Sequence, residues 1–110
     1  MPELKQIDVN KAKELMDAGP VNVVDIRDPG SYQAGHIPSA VNLSDANVAD
    51  YIEKTDKDKP LIVCCYHGNS SQGASMYLSE QGFKESYSLM GGFEVWQSAF
   101  PEEQESGYDD

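Results

Sequence analysis

The 110 residues read as an α/β domain built on a largely parallel sheet. Three observations point there. Short β-branched or apolar runs alternate with segments whose apolar residues recur at helical spacing. Turn residues separate these segments at regular intervals, as in chains of strand–helix units. Finally, Leu61-Ile62-Val63-Cys64-Cys65 is apolar throughout, the pattern of a strand covered on both faces.

Taken in order, Asp8 can cap a helix carrying Val9, Ala12, Leu15 and Met16, which Gly19 stops. Val21–Ile26 is a β-branched strand that runs into a turn, Asp28-Pro29-Gly30. A short strand, Ala40–Leu43, precedes Ser44-Asp45, which suit the start of a helix bearing Val48, Tyr51 and Ile52. Lys57-Asp58-Lys59-Pro60 breaks the chain before the apolar run at 61–65. The polar loop Tyr66–Ser70 leads to a helix over Ser71–Gln81, ended by Gly82. Ser86–Met90 is a further strand, followed by Gly91-Gly92 and a last helix through Trp96. Residues 1–100 therefore form one domain.

Nineteen acids against eight bases give a net charge of −11, and Arg27 is the only arginine. Such a surface repels phosphate backbones and anionic lipids, which argues against nucleic-acid and membrane partners. Five of the acids, and no base, fall in residues 101–110, which read as an acidic, flexible, solvated tail. No apolar stretch is long enough to span a membrane, and Met1-Pro2-Glu3-Leu4-Lys5 lacks a signal-peptide core. The only two cysteines are adjacent, where a disulfide would be strained, so two free thiols and a cytoplasmic, reducing location are expected. Cys64, Cys65, His36 and His67 lack the paired spacing of a metal site.

The chemistry concentrates in Cys65-Tyr66-His67-Gly68-Asn69-Ser70-Ser71. A cysteine at the carboxyl end of a buried strand stands where open α/β sheets bind ligands. The short loop and the helix start that follow can aim backbone N–H groups at the sulfur and favour its thiolate. Gly68 and Asn69 supply backbone freedom for such a loop. Spacing alone is equally compatible with a buried apolar thiol. Cys64, one residue back in the strand, reads as structural.

Three segments then resemble a known family in order along the chain. Val24-Asp25-Ile26-Arg27 with Tyr32, Gly35-His36-Ile37-Pro38 and Ala40-Val41-Asn42 resembles the first signature of rhodanese-like domains. Cys65–Ser71 resembles their active-site loop, and Gly91-Gly92-Phe93 with Trp96 their closing signature. The loop and the short chain are most similar to the single-domain thiosulfate sulfurtransferases of the family.

The resemblance implies a rhodanese-like three-layer domain, with a central, largely parallel five-stranded sheet flanked by helices. It implies that Cys65 attacks thiosulfate, becomes a persulfide and passes the sulfur to cyanide or to a dithiol acceptor such as thioredoxin. No metal or organic cofactor is implied. Tyr66, His67, Gly68, Asn69, Ser70 and Ser71 would bind substrate through loop amides and side chains, although capping suits the two serines as well. His67 either contacts substrate or only shapes the loop. Asp25, Arg27 and His36 would support the site, Arg27 as an internal anchor and His36 as a hydrogen-bonding residue; Phe93 and Trp96 read as core. A cysteine phosphatase would need an arginine at the end of the loop, where this chain has Ser71. A non-catalytic rhodanese-like binding module typically lacks the cysteine that this chain has.

Overall fold

The computed structural model describes residues 3–107. Along the chain run β1 (Gln6–Ile7), α1 (Val9–Ala18), β2 (Asn22–Asp25), α2 (Pro29–Ala34) and β3 (Val41–Asn42). There follow α3 (Val48–Lys54), β4 (Leu61–Cys64), α4 (Ser70–Glu80), β5 (Ser86–Leu89) and α5 (Gly92–Ala99). All five strands are parallel, in the spatial order β1-β5-β4-β2-β3, which puts the apolar run of β4 at the centre.

Strand side chains alternate between faces, and β4 shows the consequence directly. Ile62 and Cys64 pack with Val9 and Ala12 of α1 and Phe93 and Trp96 of α5. Leu61 and Val63 point the other way, toward Leu78 of α4 and the partly buried Val48, Tyr51 and Ile52 of α3. Helices thus cover both faces of the sheet in three layers.

Several local expectations change. Two-residue β1 is too short to show any alternation and is visible only through its pairing with β5. Asp28-Pro29-Gly30 is the start of α2 rather than a free turn. The Asp28 carboxylate accepts from Ser31 N at 3.0 Å, and Pro29 occupies the first turn, where its missing N–H costs nothing. At α3 the cap position belongs to Asn47 and not to Ser44-Asp45; Asn47 Oδ1 turns back to accept from Ser44 N at 2.7 Å.

Residues 101–107 run back along the domain, mostly exposed but hydrogen-bonded to it. Trp96 Nε1 donates to Glu103 O at 2.8 Å. Glu105 forms an isolated antiparallel bridge with His36, with both N···O distances at 2.9 Å, and Gly107 N donates to Gln33 O at 2.8 Å. Counted charge carries no sign of this, because uncharged groups make these bonds. The remainder of the expected tail, 108–110, lies outside the described residues. Among the described residues no helix is long and apolar enough to cross a membrane.

At the end of β2, buried Asp25 accepts from Arg27 N at 2.9 Å, Nε at 3.1 Å and Nη2 at 2.7 Å. Arg27 Nη2 also donates to Gly35 O at 2.6 Å, and the guanidinium lies 4.3 Å from the centre of the Phe93 ring. One cation therefore joins β2, the end of α2 and α5. Replacing Arg27 with Ala should cost about 3–5 kcal/mol, because it strands a buried carboxylate; urea unfolding would measure it, and a loss under 1 kcal/mol would contradict the anchor role. Removing residues 101–110 should lower Tm by at least ~5 °C, since several hydrogen bonds of ~1 kcal/mol each go with them. An unchanged Tm would show that the returning segment adds no stability.

Candidate active site

Cys65 is the first residue beyond β4, and the strand's alternation turns it toward α4. Its Sγ accepts from Gly68 N at 3.1 Å and Ser71 N at 3.3 Å and lies 3.3 Å from Ser71 Oγ. Burial pushes this thiol up, but Ser71, through its hydroxyl and its amide, and the amides of Gly68 and His67 outweigh that effect. The group is held below the ordinary thiol range. Cys64 shows the contrast. Burial, reinforced by the Asp25 carboxylate, drives its thiol well above that range, and it stays a protonated core group.

The amides converge because the loop's carbonyls are occupied elsewhere. Phe93 N donates to Cys65 O at 2.8 Å and Glu94 N to Tyr66 O at 3.3 Å, so the N-terminal amides of α5 draw these oxygens away from the sulfur. Such close approach requires Gly92. A Cβ there would lie 2.5 Å from Cys65 O and 2.6 Å from Tyr66 O. Gly68 has φ +89°, and a Cβ on it would meet Gly91 N at 2.8 Å.

The remaining loop residues take separate places. Tyr66 is exposed, its hydroxyl bonded to the Asp28 carboxylate. His67 leans outward, with Nδ1 2.9 Å from Glu94 Oε2 and its side chain 64% exposed, so only its backbone faces the sulfur. Asn69 stands at the start of α4 in a right-handed conformation (φ −89°, ψ −56°) without a side-chain cap bond, and positive φ falls to Gly68 instead. Ser70 is exposed. Ser71 is fully buried, and its hydroxyl serves Cys65 rather than capping the helix.

The supporting residues lie outside the sulfur's immediate shell. Asp25 and Arg27 hold one another as described. His36 is buried and stacked on Tyr32 at 3.8 Å, with Nδ1 2.8 Å from Tyr32 O and Nε2 3.9 Å from Glu105 Oε1. It braces the returning segment and has no hydrogen bond to the loop among the described residues. Among those residues, no group of three His, Cys, Asp or Glu is placed to hold a metal ion.

Three participants gain a site role only in the structure, Gly92 among them although it belongs to the closing signature. Gly92 positions the loop, Glu94 pairs with His67, and Ser88 of β5 lies behind Ser71 with its Oγ 2.7 Å from Ser71 Oγ. For Ser88 a signal existed. Ser86 and Ser88 are polar residues two apart in a strand of a parallel sheet, where apolar side chains are the rule.

The chain has relatives among known proteins. Residues 8–99 match the family model described as Rhodanese-like domain. The protein named Thiosulfate sulfurtransferase GlpE from Pseudomonas syringae pv. syringae (strain B728a) is 48% identical over 107 residues, 97% of this chain and all of its own length. Its namesake from Pseudoalteromonas translucida (strain TAC 125) is 50% identical over 101 residues, covering 92% of this chain and 96% of itself. Among solved structures, a rhodanese-like domain protein from Staphylococcus aureus shares the fold with a TM-score of 0.79 at 24% identity, over 96% of this chain and 100% of that one. With the family model spanning the cysteine loop and both flanking signatures, the chain belongs to the rhodanese-like domain family.

Proposed function

We propose that the protein is a thiosulfate sulfurtransferase that carries sulfur as a Cys65 persulfide. The observation that carries this reading is the buried Cys65 Sγ, met by amides at 3.1 and 3.3 Å and a hydroxyl at 3.3 Å and held below the ordinary thiol range. The relatives at about half identity over nearly the whole chain, which bear that activity in their names, support it.

In the first half-reaction the Cys65 thiolate attacks the outer sulfur of thiosulfate. The sulfur–sulfur bond of thiosulfate breaks, its electron pair leaves with sulfite, and a Cys65–S–S⁻ persulfide remains. In the second, cyanide carbon attacks the outer sulfur, thiocyanate departs, and the thiolate is restored. The chain's part is covalent catalysis in a pre-formed anion hole. Gly68, His67 and Ser71 amides stabilise sulfur anions without a nearby cation, which suits a reaction that begins and ends with a thiolate. Tyr66, Asn69 and Ser70 form the loop's outer surface, where thiosulfate would enter. Asp25 and Arg27 keep β2 and α5 in place beneath it, and His36 braces the chain further out. A reducing cytoplasmic setting suits two free thiols.

One observation favours a protein acceptor beside cyanide. Tyr66 (42% exposed), Met90 (47%) and Val95 (41%) present large apolar surface from the cysteine loop and from either side of Gly91-Gly92. A dithiol protein such as thioredoxin would rest its own apolar rim there while its thiolate takes the outer sulfur.

Intact mass tests the cycle. Thiosulfate should add one sulfur to the chain and cyanide should remove it; the Cys65→Ser variant should gain none while keeping its fold. A gain in that variant would move the sulfur to another residue. Loading should also follow thiolate formation, falling as pH drops through a midpoint below the ordinary thiol value. A midpoint at or above that value would contradict the anion hole.

A further inference from the structure

We propose that Ser88 is a positioning residue for the Cys65 thiolate, acting through the hydroxyl of Ser71. The inference rests on the reading of Cys65 as the sulfur carrier and extends it to a residue outside the loop.

The geometry is a buried row of three atoms: Cys65 Sγ, Ser71 Oγ at 3.3 Å, and Ser88 Oγ a further 2.7 Å on. Both serines are fully buried. The other groups on the sulfur, the amides of Gly68, His67 and Ser71, can only donate. Among the described residues, Ser71 Oγ is the one side-chain hydrogen-bond partner of Ser88 Oγ.

Counting protons along this row separates the two states of the sulfur. With a thiolate, Ser71 donates to sulfur and Ser88 donates to Ser71, so two protons fill two gaps. With a thiol, three protons share those two gaps, and one buried donor is left without an acceptor, which is costly. Donation from Ser88 also polarises the Ser71 hydroxyl and strengthens its bond to the anion. Ser88 thus directs the Ser71 proton toward the sulfur. The neighbouring Ser86 acts elsewhere, since its hydroxyl donates to Ser75 O at 2.7 Å and fastens β5 to α4.

The pH dependence of Cys65 alkylation by iodoacetamide in the full chain, read by intact mass, tests this. The charged and titratable groups around the loop remain the same throughout: Cys64, Asp25 and Arg27 beside β4, His67 and Tyr66 of the loop, Asp28 of α2 and Glu94 of α5. Ser71→Ala should lower the thiolate fraction below the midpoint roughly tenfold, the loss of one hydrogen bond to an anion. Ser88→Ala should lower it roughly two- to threefold, a cooperative share of that bond. The double variant should match Ser71→Ala alone, because Ser88 acts only through Ser71, and Ser88→Thr should restore the original profile. An unmoved midpoint in Ser88→Ala, or an effect that adds fully to that of Ser71→Ala, overturns the proposal. If Ser88→Thr does not fold, the double-variant comparison decides alone. A parent protein whose midpoint is not lowered would instead sink the carrier reading, so the two failures are distinguishable.

Discussion

The site depends on where a few backbone groups point. Amides can surround a sulfur only if the carbonyls of the same short loop find partners elsewhere, because each peptide unit carries both. Here α5 takes two of those carbonyls, Cys65 O and Tyr66 O. The loop is thereby polarised, with acceptors toward α5 and donors toward the sulfur. Both close approaches, Gly92 under the loop and Gly68 within it, exclude a side chain at the contact. A strand end, a loop and a helix start distant in sequence therefore act as one unit, and the charge-poor loop stabilises an anion with dipoles alone.

The second constraint is the Asp25–Arg27 pair, which serves the first. Arg27 is the only arginine in the chain, yet its guanidinium is committed to Asp25, Gly35 O and the Phe93 ring instead of standing at the sulfur. Phe93 also supplies the amide that holds Cys65 O. The buried cation therefore fixes the helix that polarises the loop, a mechanical contribution in place of a direct electrostatic one. In an oxyanion-binding site of the phosphatase kind an arginine would face the ligand; here it lies one layer behind.

Much of this was legible in the sequence, for reasons that differ by residue. The unbroken apolar run at 61–65 marks a strand buried on both faces, and Gly91-Gly92 is legible as part of the closing signature, although its contact with Cys65 O is a tertiary fact. Residue spacing alone leaves Cys65 open between nucleophile and buried thiol, since the amides that meet its sulfur depend on loop direction. β1 was too short to carry a pattern. Asp28-Pro29-Gly30 carried turn chemistry and helix-start chemistry at once, and the Asp28–Ser31 bond resolves it as a helix start. At residues 101–107 composition reaches its limit, because charge says nothing about backbone pairing with His36 and Gln33. Ser88 escaped notice because its partner is a hydroxyl on another element.

The alternation at the end of β4 has a chemical consequence of its own. A persulfide beside a second reactive thiol discharges itself, because the neighbour attacks the inner sulfur, expels hydrosulfide and closes a disulfide. Cys64 is the only other thiol in the chain, but the pleat sends it to the opposite face of the sheet, among Val23, Ile62 and Leu89. There it remains a protonated thiol with its Sγ donating to Cys65 O. In the proposed cycle the sheet would act as insulation between two adjacent cysteines and keep a Cys65 persulfide away from the second thiol of its own chain.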